Sequence, residues 1–174
     1  MTLENFYNHS ENKEWYTPKQ YMDVVRKVLG RIDLDPASNA IANEVVQARQ
    51  YFTAKDDGLA QEWHGRVFLN PPYGRDTERK RLNQQVWSEK LIAEYKSGNV
   101  REAILLVNAV TDTKWFQPLW NYPICFTDHR IKFYTVDDNK TSPVRGSAIV
   151  YFGDNPLLFA KNFKQFGKVV LEVF

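Results

Sequence analysis

The chain has 174 residues, 43% of them hydrophobic and 25% charged, with a formal net charge of +2: enough for one domain of ordinary globular composition, which neither demands nor excludes a nucleic-acid partner. Its one cysteine, Cys125, excludes an internal disulfide, and no Cys/His cluster has metal-ligand spacing, so no metal is expected. No apolar run is long enough to span a membrane and residues 1–14 are polar, so a cytoplasmic chain without a signal peptide is expected.

Residues 1–14 read as a flexible arm, and 15–174 as a single domain. Thr17-Pro18-Lys19-Gln20 predicts a helix start, with Thr17 as N-cap, Pro18 at the first helical position and Gln20 closing a capping box. Tyr21, Val24, Val25, Val28 and Leu29 then share one face, and Gly30 is the expected stop. Arg31 to Asp35 predicts a short strand ending in the turn Asp35-Pro36-Ala37-Ser38, with a helix beyond it over about 40–50. Tyr51-Phe52-Thr53 is extended and leads to the turn Asp56-Asp57-Gly58. Arg66 to Leu69 predicts a buried strand that runs into Asn70-Pro71-Pro72-Tyr73-Gly74.

A charged loop, 75–82, precedes a helix over about 83–97, and Ala103 to Val107 is the most apolar stretch, suited to a central strand. A short helix is expected around 113–120 and a strand at Ile124-Cys125-Phe126. Ile131 to Tyr134 and Ser147 to Phe152 predict a strand pair joined by the polar loop 135–146. Asn155-Pro156 opens a last helix that stops at Gly167, and Lys168 to Phe174 is a final strand. Strands alternating with helices imply an α/β sheet of mostly parallel order, whose binding sites lie at the carboxyl ends of strands. Asp35-Pro36-Ala37-Ser38 and Asn70-Pro71-Pro72-Tyr73 both fall at such ends.

Pro71 and Pro72 fix two φ angles and remove two N–H donors, so the loop is stiff and its carbonyls have few internal partners. Asn70 adds a side-chain acceptor, and Tyr73 a flat ring. Asn70-Pro71-Pro72-Tyr73 resembles the Asp/Asn-Pro-Pro-Tyr/Phe motif of amino-methyltransferases. With Trp15-Tyr16-Thr17-Pro18, Asp33-Leu34-Asp35-Pro36-Ala37-Ser38, Tyr51-Phe52-Thr53, Asp56-Asp57-Gly58-Leu59, Trp63, Arg130-Ile131-Lys132-Phe133 and Gly146 to Gly153, the chain is similar to the phage-type (Dam-like) DNA N6-adenine methyltransferases over about residues 15–153.

That resemblance implies a Rossmann-like class I methyltransferase fold: three α/β/α layers around a mostly parallel sheet with an antiparallel C-terminal strand pair. It implies S-adenosylmethionine as cofactor, double-stranded DNA as partner, a monomer or weak dimer, and host cytoplasm if phage or prophage encoded. Adenine N6 is a poor nucleophile because its lone pair is delocalised into the ring. Two acceptors for its hydrogens, at Asn70-Pro71-Pro72-Tyr73, favour a pyramidal nitrogen, and Tyr73 is suited to stack on a flipped-out base.

By the same resemblance Tyr16, Thr17, Pro18, Asp35, Ala37 and Ser38 form the methionine end of the cofactor pocket, with Asp33 second to Asp35. Thr17 and Ser38, at or near helix starts, suit a carboxylate; Asp35 suits an ammonium; Asp56 or Asp57 suits ribose or adenine. Asn39 and Ala40 stand where such pockets have a glycine, and part of the usual sheet is expected to be absent or rearranged. Arg75, Arg79, Lys80 and Arg81 follow the loop and suit DNA phosphates; Arg130, Lys132 and Arg145 flank the loop 135–146 as further DNA-binding candidates, Arg145 suited to a guanine edge. His64 and His129 have no partner pattern and read as structural. The competing readings are an RNA or protein amino-methyltransferase, and a DNA-binding module that kept the fold and lost catalysis.

Overall fold

Strand β6 (Val100–Asn108) alternates between two apolar interiors, as a central strand with both faces covered must. Ile104 and Leu106 enter one core; Ala103, Leu105 and Val107 enter the other. β8 (Ser147–Phe152) divides the same way, Ile149 and Tyr151 against Ala148, Val150 and Phe152. A computed structural model, describing residues 15–76, 78, 80–135 and 144–171, thus places helices on both faces of one sheet. Helices α1 (Lys19–Leu29), α2 (Ala40–Val46) and α4 (Pro156–Phe163) close the first core. Helix α3 (Asn83–Lys96) and a 3-10 turn (Gln117–Asn121) close the second.

The remaining strands are β1 (Leu34–Asp35), β2 (Gln50–Tyr51), β3 (Gly65–Leu69), β4 (Arg75–Asp76), β5 (Arg81–Leu82), β7 (Ile124–Thr127) and β9 (Gly167–Val170). The sheet runs β2-β1-β3-β6-β8-β7-β9. β2, β1, β3 and β6 are parallel; β8 opposes β6 and β7, and β9 opposes β7. Five of the seven strands therefore point one way, in the expected three-layer Rossmann-like architecture.

Several local expectations need correction. Helix α1 starts one residue late, its N-cap is Pro18, and no side chain caps it, so the capping box of Thr17 and Gln20 does not form. Asn39 caps α2, its Oδ1 accepting from the Ala42 N–H at 2.9 Å. The side chain that replaces the expected glycine thus starts the helix. The charged loop 75–82 contains an antiparallel ribbon, β4 against β5, apart from the main sheet. Residues 131–134 do not pair with β8. Tyr134 instead bridges Tyr16, with N–H to O distances of 2.9 and 3.1 Å, because β6 and β7 already occupy both edges of β8. Most of the connecting loop, the arm 1–14 and the last three residues lie outside the described residues.

The strand ends are fastened to each other before any ligand is considered. Phe52 N–H donates to Asp35 O at 3.0 Å, and Ser38 N–H donates back to Phe52 O at 2.8 Å. Gly58 lies under the first turn so closely that a Cβ there would meet the Pro36 carbonyl oxygen at 2.0 Å. Trp63 Nε1 donates to Gly58 O at 2.7 Å and holds that loop in place. Gly58→Ala is expected to lower stability by about 1–3 kcal/mol, because backbone must move to admit the methyl group. A fall in the urea midpoint at unchanged slope checks this.

Candidate active site

Parallel pairing of β1 with β3, Leu34 opposite Val67, brings two strand ends side by side. Asp35 ends one and Asn70 follows the other, so the two turns singled out in the sequence lie at the same edge of the sheet.

Asp35 is 3% exposed, and no cation pairs with it among the described residues. Burial pushes its carboxyl up to about 7, while the Ala37 N–H, 3.2 Å from Oδ1, and the Ser38 hydroxyl pull the other way. A buried carboxyl of this kind is stabilised by an arriving ammonium. Asp33, two residues earlier, has other work. Its Oδ1 accepts from Arg31 Nε at 2.6 Å and lies 3.6 Å from Arg49 Nη1, and its Oδ2 accepts from the Arg66 N–H at 2.9 Å. These contacts pin β1 to β3, and Arg31 holds Asp33 ionised against the effect of burial.

Asn70 Nδ2 donates to the Trp15 carbonyl and to Thr17 Oγ1, both at 3.3 Å. Its Oδ1 is buried and has no partner among the described residues. The loop leaves through Gly74 at φ +88°, a conformation glycine adopts without strain. Asn83, at the start of α3, takes up the loop's last carbonyls: its N–H donates to Gly74 O at 3.0 Å and its Nδ2 to Tyr73 O at 3.3 Å. Tyr73 does not stand free at the rim. Its ring lies 5.8 Å from Trp15 and 6.3 Å from Phe133, and its buried hydroxyl has no partner among the described residues. Burial raises the phenol, which stays neutral.

Thr17 is 6% exposed and faces Asn70; Tyr16 and Pro18 flank it. Ser38 spends its backbone N–H on Phe52 and is not the α2 cap, so neither Thr17 nor Ser38 is an N-cap. Asp56 is taken by its own turn, accepting from Thr53 N–H and Oγ1 at 2.7 and 2.6 Å. Asp57 is exposed beside it at φ +47°.

Arg75, Lys80 and Arg81 are exposed on the β4–β5 ribbon, where Arg81 pairs with Glu89; Arg79 lies outside the described residues. Arg130, Lys132 and Arg145 are exposed around the loop after residue 130. His129 Nε2 bonds the Tyr21 hydroxyl at 2.7 Å, and His64 Nε2 bonds Gln50 Oε1 at 3.1 Å, both as structural links. Burial raises the Cys125 thiol to about 12, so it remains a neutral core group. Among the described residues no three His, Cys, Asp or Glu gather as metal ligands, and no helix is long and apolar enough to cross a membrane.

Three contributors escaped the sequence reading: the Trp15 carbonyl, Asn83 and Phe133. A backbone carbonyl has no side-chain signal. Asn83 stands ten residues from Tyr73, where only the ribbon's reversal makes them neighbours.

Asp35 also makes the protein's stability respond to pH. Its carboxyl binds a proton more tightly when folded, at about 7, than when unfolded, near 3.8. Its contribution is therefore full below about pH 4 and is lost as pH rises to about 7, by up to about 4 kcal/mol in the ligand-free protein. Urea midpoints of wild type and Asp35→Asn, compared at pH 5 and pH 8, are expected to show this decline in wild type only.

A family model described as DNA N-6-adenine-methyltransferase (Dam) matches residues 6–172. No curated protein matches the chain.

Proposed function

Because the chain belongs to the DNA N-6-adenine-methyltransferase (Dam) family, we propose that it methylates adenine N6 in duplex DNA at the loop Asn70-Pro71-Pro72-Tyr73, with S-adenosylmethionine as the methyl donor. The observation that carries this reading is the buried Asn70 Oδ1, without a partner among the described residues, at the end of the strand next to the one that the buried Asp35 closes.

The chemistry follows from those groups. S-adenosylmethionine supplies an electrophilic methyl group on a positively charged sulfur. Asn70 Oδ1 accepts one hydrogen of the target amino group, and a prolyl carbonyl of the loop accepts the other. The nitrogen is thereby held pyramidal, with its lone pair available. Asn83 already occupies the Tyr73 and Gly74 carbonyls, which leaves the Pro71 and Pro72 carbonyls as sources of that second acceptor. The rest of the acceleration comes from holding the two reactants in line. The target base must leave the stack to reach this loop. Tyr73 offers it a ring already braced by Trp15 and Phe133.

Asp35 accepts from the cofactor ammonium, which compensates the cost of its burial, with Ala37 and Ser38 shaping the same turn and Tyr16 and Pro18 as further candidates for the cofactor pocket. Asp57 is the candidate for the ribose or adenine end. Arg75, Arg79, Lys80, Arg81, Arg130 and Lys132 hold phosphates on either side of the flipped nucleotide, and Arg145 reaches for a base edge.

Labelled S-adenosylmethionine and unmodified duplex DNA test this directly. The label is expected on adenine N6; label on cytosine, or none on any DNA, would sink the proposal. Asn70→Ala is expected to lose at least about 100-fold in turnover, the scale seen when one preorganised polar partner is removed. Cofactor binding by the same variant, measured by calorimetry, is expected to survive.

A further inference from the structure

We infer that Thr17, together with the Trp15 carbonyl, sets the orientation of the Asn70 amide, so that Thr17 is a positioning residue of the catalytic loop rather than a cofactor ligand. The inference rests on the proposed role of Asn70 as acceptor for the target amino group.

A carboxamide has two ends of nearly the same shape. One donates two hydrogens and the other only accepts. An asparagine free to turn over would present N–H groups to the substrate amino group in one of its two states, donor against donor. Asn70 is held in a single state. The Trp15 carbonyl can only accept, so the amide nitrogen must face it. Thr17 Oγ1 takes the other amide hydrogen at 3.3 Å. Both donors are then used and Oδ1 alone remains, buried and without a partner among the described residues.

The surroundings suit this role. Thr17 precedes the N-cap Pro18, and no side chain caps α1, so its hydroxyl is not spent on the helix. Trp15 is fixed from two directions. The Tyr16–Tyr134 bridge holds its backbone, and its ring meets Tyr73 and Phe133. A turned-over amide would set its oxygen against the Trp15 carbonyl and leave Thr17 as its only partner.

Thr17→Val keeps the shape and removes the acceptor; Thr17→Ser restores it. In Thr17→Val, kcat at saturating cofactor is expected to fall about tenfold or more, the effect of leaving a buried donor unpaired in the reactive state. The dissociation constant for S-adenosylmethionine is expected to stay within about twofold, since its binding groups are untouched. Thr17→Ser should recover most of the lost kcat. A second readout needs no turnover. With asparagine nitrogen labelled, and the signal assigned by its absence in Asn70→Ala, the Asn70 side-chain amide protons should exchange slowly in wild type and faster in Thr17→Val. Full kcat with weakened cofactor binding in Thr17→Val would make Thr17 a cofactor ligand and overturn the inference. Unchanged amide exchange would overturn it too. If wild type methylates no DNA, the adenine reading fails, while the exchange measurement still decides how the amide is held.

Discussion

The site depends on the lateral pairing of one very short strand, β1, with β3. β1 is only two residues long, yet Leu34 must stay opposite Val67 for Asp35 and Asn70 to leave the sheet at the same edge. A one-residue slip would turn the buried aspartate to the opposite face of the sheet. Asp33 prevents this. Its carboxylate accepts from the Arg66 N–H, and its own N–H donates to Arg66 O at 2.8 Å, so side chain and backbone of one residue clamp the same neighbour. Arg31 and Arg49 neutralise the clamp from outside. Two aspartates separated by one leucine therefore carry opposite duties, one paired and structural, one buried and available.

The broad architecture was legible because its signals are redundant. The apolar run within β6 and the four-residue spacing of Trp87, Leu91 and Tyr95 in α3 each repeat one message over several residues. The loop from Asn70 to Tyr73 was legible for the opposite reason. Two adjacent prolines after an asparagine at a strand end leave little conformational choice. Pairing partners were harder. Residues 131–134 alternate like a strand, yet alternation does not say which neighbour is vacant, and β8 had none to offer. Tyr134 therefore pairs with Tyr16 and ties the entry of the chain to the active face.

The finer site was less legible because its groups work through geometry rather than identity. Thr17 looked like a helix cap by its position before a proline, but α1 begins without a side-chain cap and the hydroxyl serves Asn70 instead. Ser38 sat close to a helix start, but its neighbour Asn39 has the side chain that reaches the Ala42 N–H. Tyr73 was expected as a flat ring for stacking and is one wall of an aromatic group with Trp15 and Phe133. In each case residue type was informative about chemistry and silent about partner.

The buried carboxyl of Asp35 has a consequence for the proposed cofactor site. Near neutrality that carboxyl is close to its own titration midpoint, so a sizeable share of free molecules hold a proton there. In the role proposed for Asp35, an entering ammonium and that proton would compete for the same oxygens, so that binding would release the proton to the buffer. Mass action would then link the fraction of molecules loaded at a given ligand concentration to the acidity of the surroundings, through a single side chain that takes no part in bond making.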